Sequence, residues 1–305
     1  MAQRVAFVGF GEVAAAFSQA LSRRGALVAA YDILLEEADG AARLAKRASG
    51  APVEFLPLPA ALSGARFVFS TVTTSSARQA AARSAPHLAP GQFYIDLNAS
   101  MPSIKEEIER IVHPSGAAFV EGALLGAVGV TGAATAILTG GPNGRQSARE
   151  LASELGLNAT FFSEEVGKAS TFKMLRSIFS KGLEALLIEF LAAGERAGMR
   201  EALWKEVTSL LADNPFEKVA GNWIMSHVSA HERRYHEMMQ VTEVMRALGV
   251  EPVMTAATEE FFRRSGSLGL ERSFPDKPAA MDQVIRVFEE RLRPATPTKE
   301  KDRLR

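Results

Sequence analysis

The chain contains no cysteine, which excludes disulfides, thiolate metal sites and cysteine nucleophiles together. It has no surplus of either charge: 35 basic side chains face 35 acidic ones. A general binder of nucleic acid needs a basic excess to displace counterions from phosphates, so nucleic acid is not an expected partner, and a local pair such as Arg233-Arg234 does not alter that. Long hydrophobic runs are also missing. The most apolar late stretch, Leu183 to Leu191, is interrupted by Glu184 and Glu189, which a membrane span would carry only at high cost. The short apolar segment at the start is broken by glycines and reads as strand-turn-helix rather than as a signal peptide. No membrane partner is expected, and a cytoplasmic location suits the absence of cysteine. No pair of histidines has metal-ligand spacing, so no metal is expected either.

What is present, over 305 residues, is enough chain for two domains with cores of their own. The first part alternates short β-rich runs (Arg4 to Val8, Leu27 to Tyr31, Phe67 to Val72, Phe93 to Leu97) with helical segments (Val13 to Arg23, Ala38 to Ala48, Ser75 to Ser84, Ser103 to Val112). That alternation predicts βαβ units and a mainly parallel sheet. From Lys168 onward nearly everything reads as helix: Lys168 to Ala197, then Glu201 to Leu211, Phe216 to Trp223, His231 to Leu248 and Val253 to Arg264. The expected class is α/β, an N-terminal Rossmann domain over 1–163 followed by an all-helical domain over 164–293, with a disordered tail over 294–305.

Gly9-Phe10-Gly11-Glu12-Val13-Ala14 stands between a strand and a helix. Gly9 suits the tight turn, Gly11 lets the backbone approach a pyrophosphate, and Ala14 is small enough for close helix–strand packing. The helix N-terminus then offers free N–H groups to an anion. Asp32 ends the second strand about twenty residues on, the spacing of the acid that meets an adenosine ribose. A carboxylate there accepts from the ribose hydroxyls of NAD and repels the 2′-phosphate of NADP, which makes NAD the expected cofactor. NADP stays open because Arg43 and Lys46 follow on the next helix. Two further loops, Thr71-Val72-Thr73 and the one holding Asn98 and Ser100, should close the cleft at the carboxyl ends of the strands.

The long helix from Lys168 is apolar nearly all round and is expected to be buried on most sides. Its polar residues Lys173, Arg176, Ser177, Ser180, Lys181 and Glu184 fall within an arc of about 140°, so that stripe should face a cleft, a partner charge or water. A desolvated lysine can exchange the proton that accompanies hydride transfer. Lys173 is the candidate acid/base and Lys181 the second choice; the bland alternative is a packed stem with its head in water or against Glu184.

The Gly9–Ala14 turn, the Asp96–Pro102 segment, the Phe119–Gly126 run and Gly167 through Ser177 occur in the order that resembles the β-hydroxyacid dehydrogenases, such as 3-hydroxyisobutyrate and 6-phosphogluconate dehydrogenases. The resemblance implies a Rossmann domain, a helical domain through which a homodimer forms, and a catalytic acid/base at Lys173. It also implies a small polar substrate, a hydroxy acid or related alcohol or carbonyl. The chain departs from the pattern: Leu125 stands where typical members place a carboxylate-binding serine, Ser177 where they place asparagine, and His231-Glu232-Arg233-Arg234 where they place a lysine–aspartate pair. It is thus similar to a divergent subgroup whose C-terminal domain has no assigned function. Gly122, Leu125, Ser177, Lys181, His231 and Arg234 are the candidate substrate contacts, Arg234 for two-pronged binding of a carboxylate or phosphate. The alternatives are an imine reductase of the same fold and a non-catalytic dinucleotide-binding dimer.

Overall fold

A computed structural model describes residues 3–293, so the expected tail over 294–305 lies outside the described residues. Eight strands form one sheet: β1 (Arg4–Val8), β2 (Leu27–Tyr31), β3 (Val53–Phe55), β4 (Phe67–Ser70), β5 (Phe93–Asp96), β6 (Ala118–Leu125), β7 (Ala136–Gly140) and β8 (Ala159–Ser163). Their order is β3-β2-β1-β4-β5-β6-β7-β8. All neighbours are parallel except β6 and β7, which run antiparallel. The N-terminal domain is therefore the Rossmann-like α/β layer expected, extended at one edge by a reversed pair. The first seven helices, α1 (Glu12–Arg23), α2 (Gly40–Ala48), α3 (Leu58–Leu62), α4 (Ala77–Ser84), α5 (Pro102–Val112), α6 (Val128–Thr131) and α7 (Gly144–Leu155), belong to this layer.

Period-two alternation explains the two cores. In β1, Val5 and Phe7 join one buried cluster with Phe17, Leu21, Phe69 and Ile95, while Ala6 and Val8 join another with Leu62, Tyr94, Ile108 and Val112. A strand covered on both faces reads as a continuous apolar run, as Val5-Ala6-Phe7-Val8 does. The sheet order reverses direction between β1 and β4, and the crevice beyond the carboxyl ends of such strands is the usual ligand site of open α/β sheets.

Helices α8 (Lys168–Arg196), α9 (Arg200–Asp213), α10 (Phe216–Ala247), α11 (Val253–Gly266), α12 (Leu270–Ser273) and α13 (Met281–Leu292) complete the chain. The chain divides into two compact units between Ile178 and Phe179, inside α8. Two expectations are corrected here. The segments Phe216 to Trp223 and His231 to Leu248 form the single 32-residue α10, because nothing between Ile224 and Ala230 can stop a helix: there is no proline or glycine there, and His227 and Val228 are buried. Helix α8 is not buried on most sides: Leu175, Ile178, Phe179, Leu183 and Ile188 are all substantially exposed, Ile178 by 72%. Apolar side chains lie on several sides of this 29-residue helix, and those that no other element covers stay exposed. Among the described residues, no helix is long and apolar enough to cross a membrane.

Candidate functional site

The glycine turn lies at the carboxyl end of β1. Gly9 has φ of +86°, and a Cβ there would come within 2.5 Å of the Val72 side chain and 2.8 Å of the Thr71 carbonyl oxygen. Only glycine fits this crossing of two strand ends. The crossing is stitched by Gly9 N–H donating to Tyr31 O, Thr71 N–H to Val8 O, and Thr71 Oγ1 to Gly9 O. Gly11 precedes α1, and a Cβ there would meet nothing within 4 Å. No side chain caps this helix, so its first N–H groups remain available to an anion. Ala14 is fully buried at the close approach of α1 to the sheet.

Asp32 accepts from Phe10 N–H through Oδ2 at 2.7 Å and from Leu34 N–H through Oδ1 at 2.9 Å. It therefore shapes the turn as well as lining the cleft, with lone pairs left for ribose hydroxyls. Two of the nearby arginines are paired with acids, while Arg47 donates to Phe10 O at 3.3 Å. Arg43 meets Glu37 and Asp39. Arg83 donates to Glu36, which also accepts from Tyr31 Oη at 2.6 Å. These bonds, from Tyr31 first and then Arg83, hold the Glu36 carboxyl below its usual range, while burial and then the bond to Glu36 push the Tyr31 phenol up.

Gly9, Phe10, Gly11, Glu12, Val13, Asp32, Thr71, Val72 and Thr73 line one cavity, together with Leu58, Arg47, Gln79 and Arg83. An adjoining cavity shares Glu12, Val13, Thr71, Val72 and Thr73, and adds Asn98, Leu97, Gly126, Val128 and Lys173. Residues far apart in sequence thus meet at one cleft: the glycine turn, the ends of β4 and β5, and one turn of α8. Ser100 is buried but lines neither cavity. Gly122 is buried with its Cα face against Leu97, and Leu125 is half-buried at the end of β6; neither is on the cavity walls. Ser177 Oγ donates to Lys173 O, one turn back along α8.

The remaining candidates lie in the second unit. Lys181 is exposed. His231, in the middle of α10, is buried, with Nδ1 against the carbonyls of His227 and Val228. Arg234 donates to Ser226 Oγ at 2.8 Å and to Trp223 O at 3.3 Å on the same helix. His227, which escaped notice in the sequence, is buried among Phe261, Phe262 and Phe288 and bonded to Ser265 Oγ at 2.9 Å.

Two buried charges behind the cleft were also missed. Glu121, fully buried on β6, accepts from Gly167 N–H at 2.8 Å and Ser170 N–H at 2.7 Å. It sits opposite Gly140 on β7, where a Cβ would lie 2.5 Å from its Oε2. The carboxylate thus caps the start of α8, where negative charge complements the helix dipole, and ties Lys173, one turn on, to the sheet. Lys105 is fully buried on α5. A signal existed for it: it shares an apolar stripe with Ile108 and Val112, where a lysine needs a partner.

The cleft fits a dinucleotide: a glycine crossing no Cβ could occupy, an uncapped helix N-terminus, an acid at the second strand, and a buried unpartnered acceptor, Asn98 Oδ1, at the other end. Residues 4–158 match the NAD binding domain of 6-phosphogluconate dehydrogenase, and residues 195–265 match a domain of unknown function, DUF1932. A conserved hypothetical protein from Sinorhizobium meliloti is 30% identical, with 96% of this chain and 97% of that one covered and a TM-score of 0.59. A conserved protein of unknown function, described as structurally similar to 3-hydroxyacid dehydrogenases, is also 30% identical over 87% of this chain and 97% of that one, at a TM-score of 0.57. An imine reductase from Myxococcus stipitatus, solved with NADP+, shares the fold at 16% identity, covering 87% of this chain and 95% of that one with a TM-score of 0.68. With its NAD(P)-binding domain, its helical partner domain and full-length relatives of the same build, the chain belongs to the 6-phosphogluconate dehydrogenase-like family of oxidoreductase folds.

Proposed function

We propose that this protein is an NAD(P)-dependent oxidoreductase that moves a hydride between the nicotinamide and a small hydroxy acid or related alcohol or carbonyl, with Lys173 as general acid/base. One observation carries the reading: Lys173 lines the cavity that also contains Asn98, Thr71 and the first turn of α1. The bound nicotinamide supplies the hydride acceptor or donor. As a carbinol carbon loses its hydride, a neutral Lys173 takes the hydroxyl proton and leaves a carbonyl; in the reverse direction the Lys173 ammonium returns that proton. Glu121 holds the start of α8 against β6 and so keeps the amine in register with the cleft.

NAD is favoured over NADP because Asp32 stands at the adenosine end and Arg43 and Arg83 are already paired with acids. Exposed apolar residues on α8, with Trp204 on α9 and Trp223 on α10, support a homodimer formed through the helical domain. Lys173→Ala is expected to lower turnover by about 10²–10⁴ while leaving NADH affinity unchanged; normal turnover in that variant would refute the assignment.

An imine substrate is the second reading. It is favoured by Glu12, which lines the same cavity and lies against Gly129; a carboxylate there suits a cationic iminium better than an anionic acid. Turnover of cyclic imines without oxidation of any hydroxy acid would select it.

A further inference from the structure

One wall of the cavity is oriented from deep inside the protein. The Lys105 ammonium donates to Asp96 Oδ2 at 2.8 Å, to Asp96 O at 2.8 Å and to Gly122 O at 3.4 Å. Its three hydrogens are thereby matched by three acceptors. Asp96, also fully buried, turns Oδ1 to the carboxamide of Asn98, which donates to it through Nδ2 and also to Ser70 Oγ at 2.9 Å. A carboxylate paired with an ammonium only accepts. The Asn98 nitrogen must therefore face Asp96, and the Asn98 oxygen must face away. That oxygen is buried and has no hydrogen-bond partner, an expensive state for a carbonyl that no ligand is to satisfy.

Asn98 lines the cavity of Lys173 but not the one that contains Asp32, and Asp32 does not line the cavity of Asn98. With the adenosine end assigned to Asp32, the Asn98 end belongs to the nicotinamide half. We propose that Lys105 and Asp96 are positioning residues that fix the polarity of the Asn98 carboxamide, so that Asn98 Oδ1 accepts a hydrogen bond from a ribose hydroxyl on the nicotinamide half of the dinucleotide. The inference rests on dinucleotide binding and is independent of the role given to Lys173.

The test is equilibrium binding of NADH, followed by its fluorescence, beside binding of ADP, which lacks the nicotinamide half. Asn98→Ala weakens NADH by about tenfold and leaves ADP unchanged. Asp96→Asn is isosteric, yet its amide can donate, which releases Asn98 to turn over; it costs NADH a similar factor and spares ADP. The double variant binds NADH no more weakly than Asn98→Ala alone, a non-additivity that a merely structural role for Asp96 would not produce. An NADH analogue lacking the relevant hydroxyl of the nicotinamide-side ribose binds wild type and Asn98→Ala equally. Unchanged NADH affinity in Asn98→Ala, additive losses in the double variant, or a weaker hold of Asn98→Ala than of wild type on every deoxy analogue would overturn the proposal alone. Failure of wild type to bind NADH and ADP at all would overturn the dinucleotide reading as well. Should Asp96→Asn fail to fold, Asn98→Ala with the analogues still decides, since it leaves the buried ion pair intact.

Discussion

The two units of the chain differ in how completely they cover themselves. The sheet unit buries apolar residues on both faces, with Phe7, Phe17, Phe69, Tyr94 and Ile108 fully enclosed. The helical unit has a small centre of Val228, Leu270 and Val284, none of the residues of α9 is buried, and both tryptophans of the chain are nearly half exposed. A parallel sheet wrapped by its own helices is covered on both faces, whereas long helices with apolar residues on several sides are harder to cover completely. The residues that line the cleft all come from the first kind of unit; the second kind leaves its apolar side chains open.

Three experiments break or sharpen that contrast. The largest effect is expected in the sheet unit, at the tether between β6 and α8. Glu121→Ala strands the N–H groups of Gly167 and Ser170, and should cost about 2–4 kcal/mol of stability and reduce turnover with it. Denaturant titration and steady-state rates check this, and a stable, fully active variant would show that α8 needs no such anchor.

The next largest effect belongs to the exposed face of α8. Introducing charge there by Leu183→Glu or Ile188→Glu should weaken self-association by about 1.5–3 kcal/mol per side chain that the partner covers. Sedimentation velocity over a concentration series reads the result directly, and an unaltered monomeric profile in wild type and variants would remove the dimer.

The smallest effect is a pH dependence confined to the helical unit. Burial, then the charges of His231 and Arg234, push His227 down to about 4, against about 6.5 in an unfolded chain. Between those values the unfolded form takes up a proton that the folded form refuses. The stability contributed by neutral His227 is therefore complete above about pH 6.5, declines as the pH falls, and levels off below about pH 4, a loss of about 1–3 kcal/mol. Because Trp204 and Trp223 both lie in this unit, tryptophan fluorescence isolates its unfolding, and His227→Gln should flatten the slope.

How much of this was legible in the sequence follows from the range of each interaction. The glycine turn, Asp32, the strand ends at Thr71 and Asn98, and the turn of α8 with Lys173 all carry local signals of type and spacing, and the cleft unites them. Short elements were harder: β3 has three residues ahead of Pro57, and α7 has a glycine-rich approach, so neither shows a clear period. The segment between Trp223 and His231 joins the two halves of α10 because its buried His227 and Val228 pack into a core whose other members come from much later helices, which no local pattern shows. The pairing of Lys105 with Asp96, and of Glu121 with the start of α8, depends on strand neighbours and on helices that cross them. The odd placement of a lysine on an apolar stripe was visible, but its partner was not.

Adjacent residues of β6 grip both sides of the cleft. Glu121 takes hold of the helix that carries the amine, and the carbonyl of Gly122 takes hold of the ammonium behind Asn98. The separation between those two walls is thereby gauged by a single strand at the heart of the sheet. The loops around them can change in sequence without disturbing that spacing.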